Sequence, residues 1–305
     1  MLKINPTQKA LDFHYKKVSK ILDKIGTKEK TEKGVKYKLC QKLLDFINEQ
    51  KDKIINSKPK ILYEEINSGY NNLNLNDEER KAAKVIFKYT YEAYFQKKYG
   101  KEFLNLLDID TCVYCNLNYT LQFDLETNHA RAQLDHWFPK ESFPILALSF
   151  YNLIPSCASC NHIKGAAKDY DWLKALENQN HPYISKNDFT FSYEYENFNN
   201  FAMKIKVEKN SKSEKTLAFN KTKEIYDAHS EKELKDLLEL RLKYSEDYID
   251  TLVNKTFKGI TNESEVYRMI FGIEIEEENY HKRPFSKFKR DIIHKLLSVD
   301  YKTKD

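Results

Sequence analysis

The stretch that decides the fold runs from Cys112 to Gly165. It contains Cys112-Val113-Tyr114-Cys115, then Leu134-Asp135-His136-Trp137-Phe138-Pro139-Lys140, then Asn152-Leu153-Ile154-Pro155-Ser156-Cys157-Ala158-Ser159-Cys160-Asn161-His162-Ile163-Lys164-Gly165. Two Cys-x-x-Cys turns bracket an Asp-His pair and an Asn, and a second Asn follows the last Cys directly. Thiolates are soft ligands suited to zinc, and four of them close a tetrahedral shell that leaves no position for water. Cys112, Cys115, Cys157 and Cys160 are therefore expected to hold a structural zinc ion. The bland alternative is two unrelated thiol pairs in a reduced interior. The 41 residues between Cys115 and Cys157 exceed the usual ribbon spacing, so something folded must sit between the knuckles.

What sits there is Asp135-His136. In an extended strand neighbouring side chains leave on opposite faces, so the carboxylate can bind a hard divalent cation while the imidazole points at substrate. A neutral imidazole can take a proton from water near pH 7, and the hydroxide can attack a phosphodiester. The cation's part is to neutralise charge on the scissile phosphate and stabilise the leaving oxygen. Alone, an Asp-His pair is weak evidence, because a single His is more often structural. Asn161, fixed by the adjacent Cys160, offers an amide oxygen to a Mg²⁺ shell completed by water and phosphate. Its neighbour His162 is the competing ligand. Asn152 is placed to brace the loop carrying His136 or to orient the imidazole. Lys164 lies one turn beyond Asn161, where it could meet a phosphate or simply be a solvated Lys before a Gly.

The rest of the chain supplies context. At 305 residues it is long enough for one substantial domain or two smaller ones. The longest apolar runs fall far short of a spanning helix, and Met1-Leu2-Lys3-Ile4 lacks the apolar core of a secretory signal. A cytoplasmic, membrane-free protein is the expectation. Five cysteines, four in close pairs, do not resemble a secreted disulfide scaffold; Cys40 reads as a small apolar residue on a helix. A net charge of +5 and a pI near 8.6 are compatible with nucleic acid without demanding it.

Residues 1–108 read as helical. Thr7 caps a helix with Leu11, Tyr15, Val18, Leu22 and Ile25 on one face, and Lys28 to Gly34 is a break. A second periodic stretch carries Leu39, Leu43, Leu44 and Ile47. Asn76 with Glu79 opens another helix, with Val85, Ile86, Tyr89 and Ala93 inward. Short strands are expected at 119–125, 130–137 and 151–154, with a turn at 126–129, then a helix from Ser156 to about Lys168. The segments 189–195 and 202–208 alternate like a half-exposed hairpin, and 209–215 reads as a charged connector. Ser230 with Glu233 forms a capping box for a final helical region carrying Leu234, Leu237, Leu238, Tyr248 and Leu252. The run Lys282 to Arg290 interleaves bases with aromatics. It suits phosphate and base contacts, but reads more readily as the start of the last helix, with Phe285 and Phe288 in the core. Asn180-His181-Pro182-Tyr183 could lend His181 to substrate or simply turn the chain toward the next strand, and His181 stays outside the catalytic set. There is no Gly-rich phosphate loop.

Taken in order, Cys-x-x-Cys, Asp-His-x-x-Pro-Lys and Asn-Leu-x-x-x-Cys-x-x-Cys-Asn-x-x-Lys-Gly resemble the HNH endonucleases, whose ββα-metal site carries a His base, a middle Asn and a closing His or Asn. The resemblance implies that His136 is the base, Asn152 the middle Asn, and Asp135 and Asn161 the ligands of a catalytic Mg²⁺ or Mn²⁺. The closing position holds Asn and not His, an H-N-N variant. Lys164 and Lys140 are candidate nucleic-acid contacts. The wording from Phe143 to Cys157 is similar to HNH proteins of bacterial anti-phage and retron-associated systems, in which an ATPase or other defence partner is common.

The expected architecture is α+β: helical residues 1–108, a zinc-stapled ββα-metal module over 109–185, and a β-hairpin plus helices over 186–305. The expected activity is metal-dependent hydrolysis of DNA phosphodiesters. Two alternatives stand beside it. One is a zinc-stabilised module that binds nucleic acid or a partner without catalysis. The other is an HNH nuclease directed at RNA.

Overall fold

The computed structural model describes residues 1–121, 132–165, 170–186, 188–197 and 200–297. The described chain is mainly helical, with three two-stranded antiparallel sheets. It is thus a mixed α and β protein built around a four-cysteine cluster.

Local signals set the N-terminal helices. Thr7 caps helix Gln8–Leu22, its hydroxyl oxygen accepting from the Ala10 amide and its hydroxyl donating to the Leu106 carbonyl at 2.7 Å. The buried face of that helix centres on Ala10, His14, Val18, Ile21 and Leu22, so the stripe is turned from Leu11 and Tyr15, which are half-buried. The break at 28–34 is a hairpin: β1 (Lys30–Glu32) pairs with β2 (Val35–Tyr37). Lys33 and Gly34 both have positive φ, 48° and 80°, the combination a two-residue turn requires. Helix Gln41–Asn56 buries Leu43, Ile47, Ile54 and Ile55, and Cys40 stands half-buried at its N-cap. Asn76 and Glu79 make both bonds of a capping box at the start of Asp77–Tyr89, which buries Ala82, Ala83, Ile86 and Phe87. Val85 and Tyr89 are only half-buried. The helix then widens into a π-helical segment, Thr90–Gln96, before Lys97–Leu107. That widening turns Thr90, Tyr91 and Phe95 inward together.

These helices share one hydrophobic core with the central segment, from Met1 to Tyr183 and including Tyr280. A second core joins Phe189 to Leu296. There β5 (Thr190–Asn197) pairs with β6 (Asn200–Lys206) in the hairpin that the alternation predicts. Three expectations fail in this half. The supposed connector at 209–215 already contains the start of helix Lys212–Phe219, capped by Ser211. Ser230 lies inside helix Thr222–Lys243 and starts nothing. Tyr248 is 45% exposed and does not extend the apolar stripe.

The elements that carry the site come in strand, strand, helix order. Antiparallel β3 (Gln133–His136) and β4 (Leu153–Ser156) are joined through short turns at Pro144–Leu146 and Phe150–Asn152, and helix Ala158–Gly165 follows. The register pairs Asp135 with Ile154 and His136 with Leu153. Tyr119 makes only an isolated bridge to Thr111. The turn expected at 126–129 and much of the strands around it fall within 122–131, outside the described residues, as do 166–169 at the end of the expected helix.

Candidate metal centre and hydrolytic cleft

The two knuckles meet. The sulfurs of Cys112, Cys115, Cys157 and Cys160 all lie within 4.8 Å of one another. A tetrahedral zinc with bonds of about 2.3 Å needs sulfurs about 3.8 Å apart, so this donor set fits a four-thiolate metal after small adjustments. The crowding has an electrostatic consequence: donation from the other three cysteines pulls the Cys157 thiol well below its usual range. Burial pushes Cys112 the other way. Two N–H groups also reach sulfur, Leu117 to Cys115 and the Asn118 amide to Cys157, each at 3.4 Å. A neutral shell of four thiols would gain little from such donors, whereas thiolates would gain more.

Asn116, directly after the first knuckle, takes the left-handed conformation with φ 54°. Asn tolerates that region better than most residues. Its side-chain amide donates to Thr111 Oγ1, Tyr280 O and Arg283 O, its backbone carbonyl accepts from Phe285 N, and Tyr226 donates its hydroxyl to Cys115 O. The cysteine centre is therefore also the joint between the two cores.

On the other end of the same short helix a cleft of about 160 Å³ is lined by Asp135, His136, Lys140, Asn161 and Lys164. His136 ends β3, its ring edge-on to Tyr91 at 4.4 Å between centroids, and its Nε2 lies 3.0 Å from Ala147 O. A carbonyl can only accept, so Nε2 carries the proton and Nδ1 keeps the lone pair. Burial, then the nearby charge of Lys140, outweighs the pull of the Ala147 carbonyl and lowers the imidazole pKa to about 3. The ring is thus neutral at pH 7.

Asn152 closes the 16-residue excursion between the strands. Its Oδ1 accepts from Phe138 N at 2.7 Å, and its Nδ2 donates to Phe138 O and Leu146 O at 3.1 and 2.9 Å. With Trp137 N donating to Asn152 O, the loop that follows His136 is held from both sides. Asn161 donates its Nδ2 to Gln133 Oε1, and among the described residues its amide oxygen takes no hydrogen bond. His162 is exposed and does not line the cleft.

Asp135 and Lys164 make a buried ion pair, the carboxylate and ammonium 7% and 5% exposed. Lys164 Nζ stands 2.6 Å from Asp135 Oδ2 and also donates to His136 O. It is bonded inward and not directed at solvent, as a phosphate contact would be. Lys140 is half-buried at the rim, 5.9 Å from the Tyr91 ring centroid. In Lys282 to Arg290, Lys282 pairs with Asp108 and Asp110, Arg283 with Glu274, Lys287 with Asp291 and Lys289 with Glu233. Phe288 is fully buried, so that run is mainly structural.

Three participants lay beyond the motif reading. Tyr114 sits inside the first Cys-x-x-Cys turn, and its hydroxyl donates to Asp135 Oδ2 at 2.6 Å. Its position between two ligands was the available signal. Tyr91 comes from the N-terminal helices with no local signature. His181 packs on Trp137 at 4.7 Å, its Nδ1 accepting from Tyr183 N.

No family model matches the chain, and no solved structure does. Among curated proteins, the Septu protein PtuB of Bacillus thuringiensis is 32% identical over 71 residues, 22% of this chain. The match spans a quarter of that protein's length. No described helix is long and apolar enough to cross a membrane. The chain is thus a mixed α and β protein with a four-cysteine cluster able to hold a metal such as zinc, similar over one segment to a Septu protein.

Proposed function

We propose that the chain is an HNH-type endonuclease of bacterial anti-phage defence that hydrolyses DNA phosphodiesters. The observation that carries this reading is the convergence of His136, Asp135 and Asn161 on one cleft at the end of a strand-strand-helix unit. The Septu similarity supports the defence setting. The ββα-metal resemblance of the motifs supports the reaction, and the fixed tautomer of His136 supports its role.

In this reading Asp135 and the Asn161 amide oxygen hold a Mg²⁺ or Mn²⁺ ion, which when bound neutralises charge on the phosphate and the leaving oxygen. His136 Nδ1 takes the proton of the attacking water, and the Ala147 carbonyl steadies the ring as it becomes charged. A pKa of about 3 makes the imidazole by itself a weak base, and the negative charge that builds on the phosphate as water attacks raises it. Asn152 keeps the His136 loop in place. The four cysteines hold zinc and do no chemistry. A defence-system protein partner, an ATPase among the candidates, is part of the same proposal.

One observation favours a second reading, a binding module without catalysis: Asp135 is already satisfied by Lys164 and Tyr114, as a purely structural carboxylate would be. The deciding experiment incubates plasmid DNA, single-stranded DNA and RNA with wild type and His136→Ala in Mg²⁺, Mn²⁺ and EDTA. Divalent-dependent cleavage that falls at least about a hundredfold in the mutant is expected. DNA cut in EDTA, or full cleavage by His136→Ala, refutes the assignment, and preferential loss of RNA moves it to the RNA-directed form.

A further inference from the structure

The mechanism above leaves Lys164 without a task. Burying an ammonium is costly unless it is paired and hydrogen-bonded. Here the pairing comes from Asp135, the residue assigned to the cation, while His136 O takes a second bond and the Trp172 ring lies 5.3 Å from Nζ. Tyr114 donates to the same carboxylate oxygen, Oδ2. Among the described residues no hydrogen bond falls on Oδ1. Among the described residues the carboxylate is therefore bonded on one oxygen by two buried donors and takes no hydrogen bond on the other.

That asymmetry bears on which cation fits. Mg²⁺ and Mn²⁺ prefer six ligands in octahedral geometry and accept a carboxylate through one oxygen; Ca²⁺ takes six to eight ligands and commonly takes both oxygens of a carboxylate. Resting on the nuclease reading, we propose that Lys164 is a positioning residue that, with Tyr114, restricts Asp135 to one-oxygen coordination and so selects small octahedral cations over Ca²⁺. The ammonium also opposes any dication by charge, so removing it strengthens binding of both ions; only the lost restriction changes their ratio.

The test measures Mn²⁺ binding, by the electron paramagnetic resonance of free Mn²⁺, and Ca²⁺ binding, by titration calorimetry. The proteins are zinc-loaded wild type, Lys164→Met, Tyr114→Phe and Asp135→Asn. Expected is tighter binding of both ions by Lys164→Met, with the preference for Mn²⁺ over Ca²⁺ falling at least about tenfold, and a smaller fall in Tyr114→Phe. Should Lys164→Met not fold, judged by zinc content and circular dichroism, Tyr114→Phe carries the test alone. An unchanged preference in the folded variants, with binding still lost in Asp135→Asn, overturns the role of Lys164 and leaves the nuclease reading standing. Mn²⁺ binding unaffected by Asp135→Asn overturns both, because the cation then sits elsewhere.

Discussion

One eight-residue helix, Ala158–Gly165, borders two sites of opposite design, the four-cysteine cluster and the cleft to which we assign a catalytic cation. At its start Cys157 and Cys160 join Cys112 and Cys115 in a shell of like donors, mostly buried and complete without water. Toward its end Lys164 is bonded directly to the buried Asp135 and Asn161 lines the same cleft, where the donors are hard oxygens and a lysine already supplies one positive charge. The first arrangement gains free energy only when a metal enters. The second is satisfied before any metal comes. A site that must hold a fold cannot tolerate vacancy, and a site that must exchange ligands has to survive it.

Removing the closed site should have the largest effect. A structural zinc contributes on the order of 10 kcal/mol of binding free energy to the fold that presents it. Cys160→Ser, or a strong chelator on wild type, is expected to abolish the cooperative thermal transition, whereas Asp135→Asn should leave zinc content unchanged. Calorimetry with metal analysis checks both, and a chelated protein with an undisturbed transition would erase the contrast.

Acid should act next, through the scaffold shared by the two sites. His14, among Phe95, Phe103 and Phe150, and His181, against Trp137, are both held by burial at a pKa of about 3. In the unfolded chain each protonates near 6.5. Between those values the unfolded state binds more protons, so stability rises with pH and is lost on acidification from about 6.5 downward. Each histidine contributes about 1.4 kcal/mol per pH unit across that window. His14→Leu is expected to flatten the slope of stability against pH by that amount, as read from urea titrations between pH 6 and pH 4.5. An unaltered slope would remove His14 from the source of the acid sensitivity.

The smallest of these effects belongs to the open site's frame. Asn152→Ala removes three hydrogen bonds and takes the Asn152 partner from both the N–H and the C=O of the buried Phe138, while Leu146 O keeps its bond from Ser149 N. A loss of about 3 kcal/mol is expected, with the cysteine metal retained. Urea unfolding of the zinc-loaded variant checks it; a loss of zinc together with stability would show that the two sites are not separable.

What the sequence made legible follows from the range of each interaction. Thr7, the Asn76–Glu79 box and the alternation in β5 and β6 act within a few residues, and each lies where the pattern placed it. Ser230 with Glu233 has the same spacing but falls within a helix that begins at Thr222, because an i, i+3 pair recurs on any exposed helix face. The Lys28 to Gly34 break hid a hairpin whose strands are only three residues each, too short for alternation to register. At the site, the knuckles were legible because metal ligation fixes residue type and spacing together. The Tyr91 contact with His136 joins positions 45 apart with no shared motif, and the Lys164 pairing with Asp135 spans 29 positions. Both depend on the packing of whole elements.

Asn116 ties the timing of assembly to the order of synthesis. Its amide and carbonyl find their partners at Tyr280, Arg283 and Phe285, some 165 positions downstream. On the ribosome the first knuckle emerges long before those residues exist, and closing so long a loop is slow relative to local folding. Until they arrive, the amide and carbonyl of this left-handed residue are left to water, and Tyr280 is missing from the first core. The residues of the cleft and their partners all lie before residue 186, so the long-range dependence falls on the cysteine centre and not on the cleft: the first knuckle reaches its full set of hydrogen bonds only once the last part of the chain has been made.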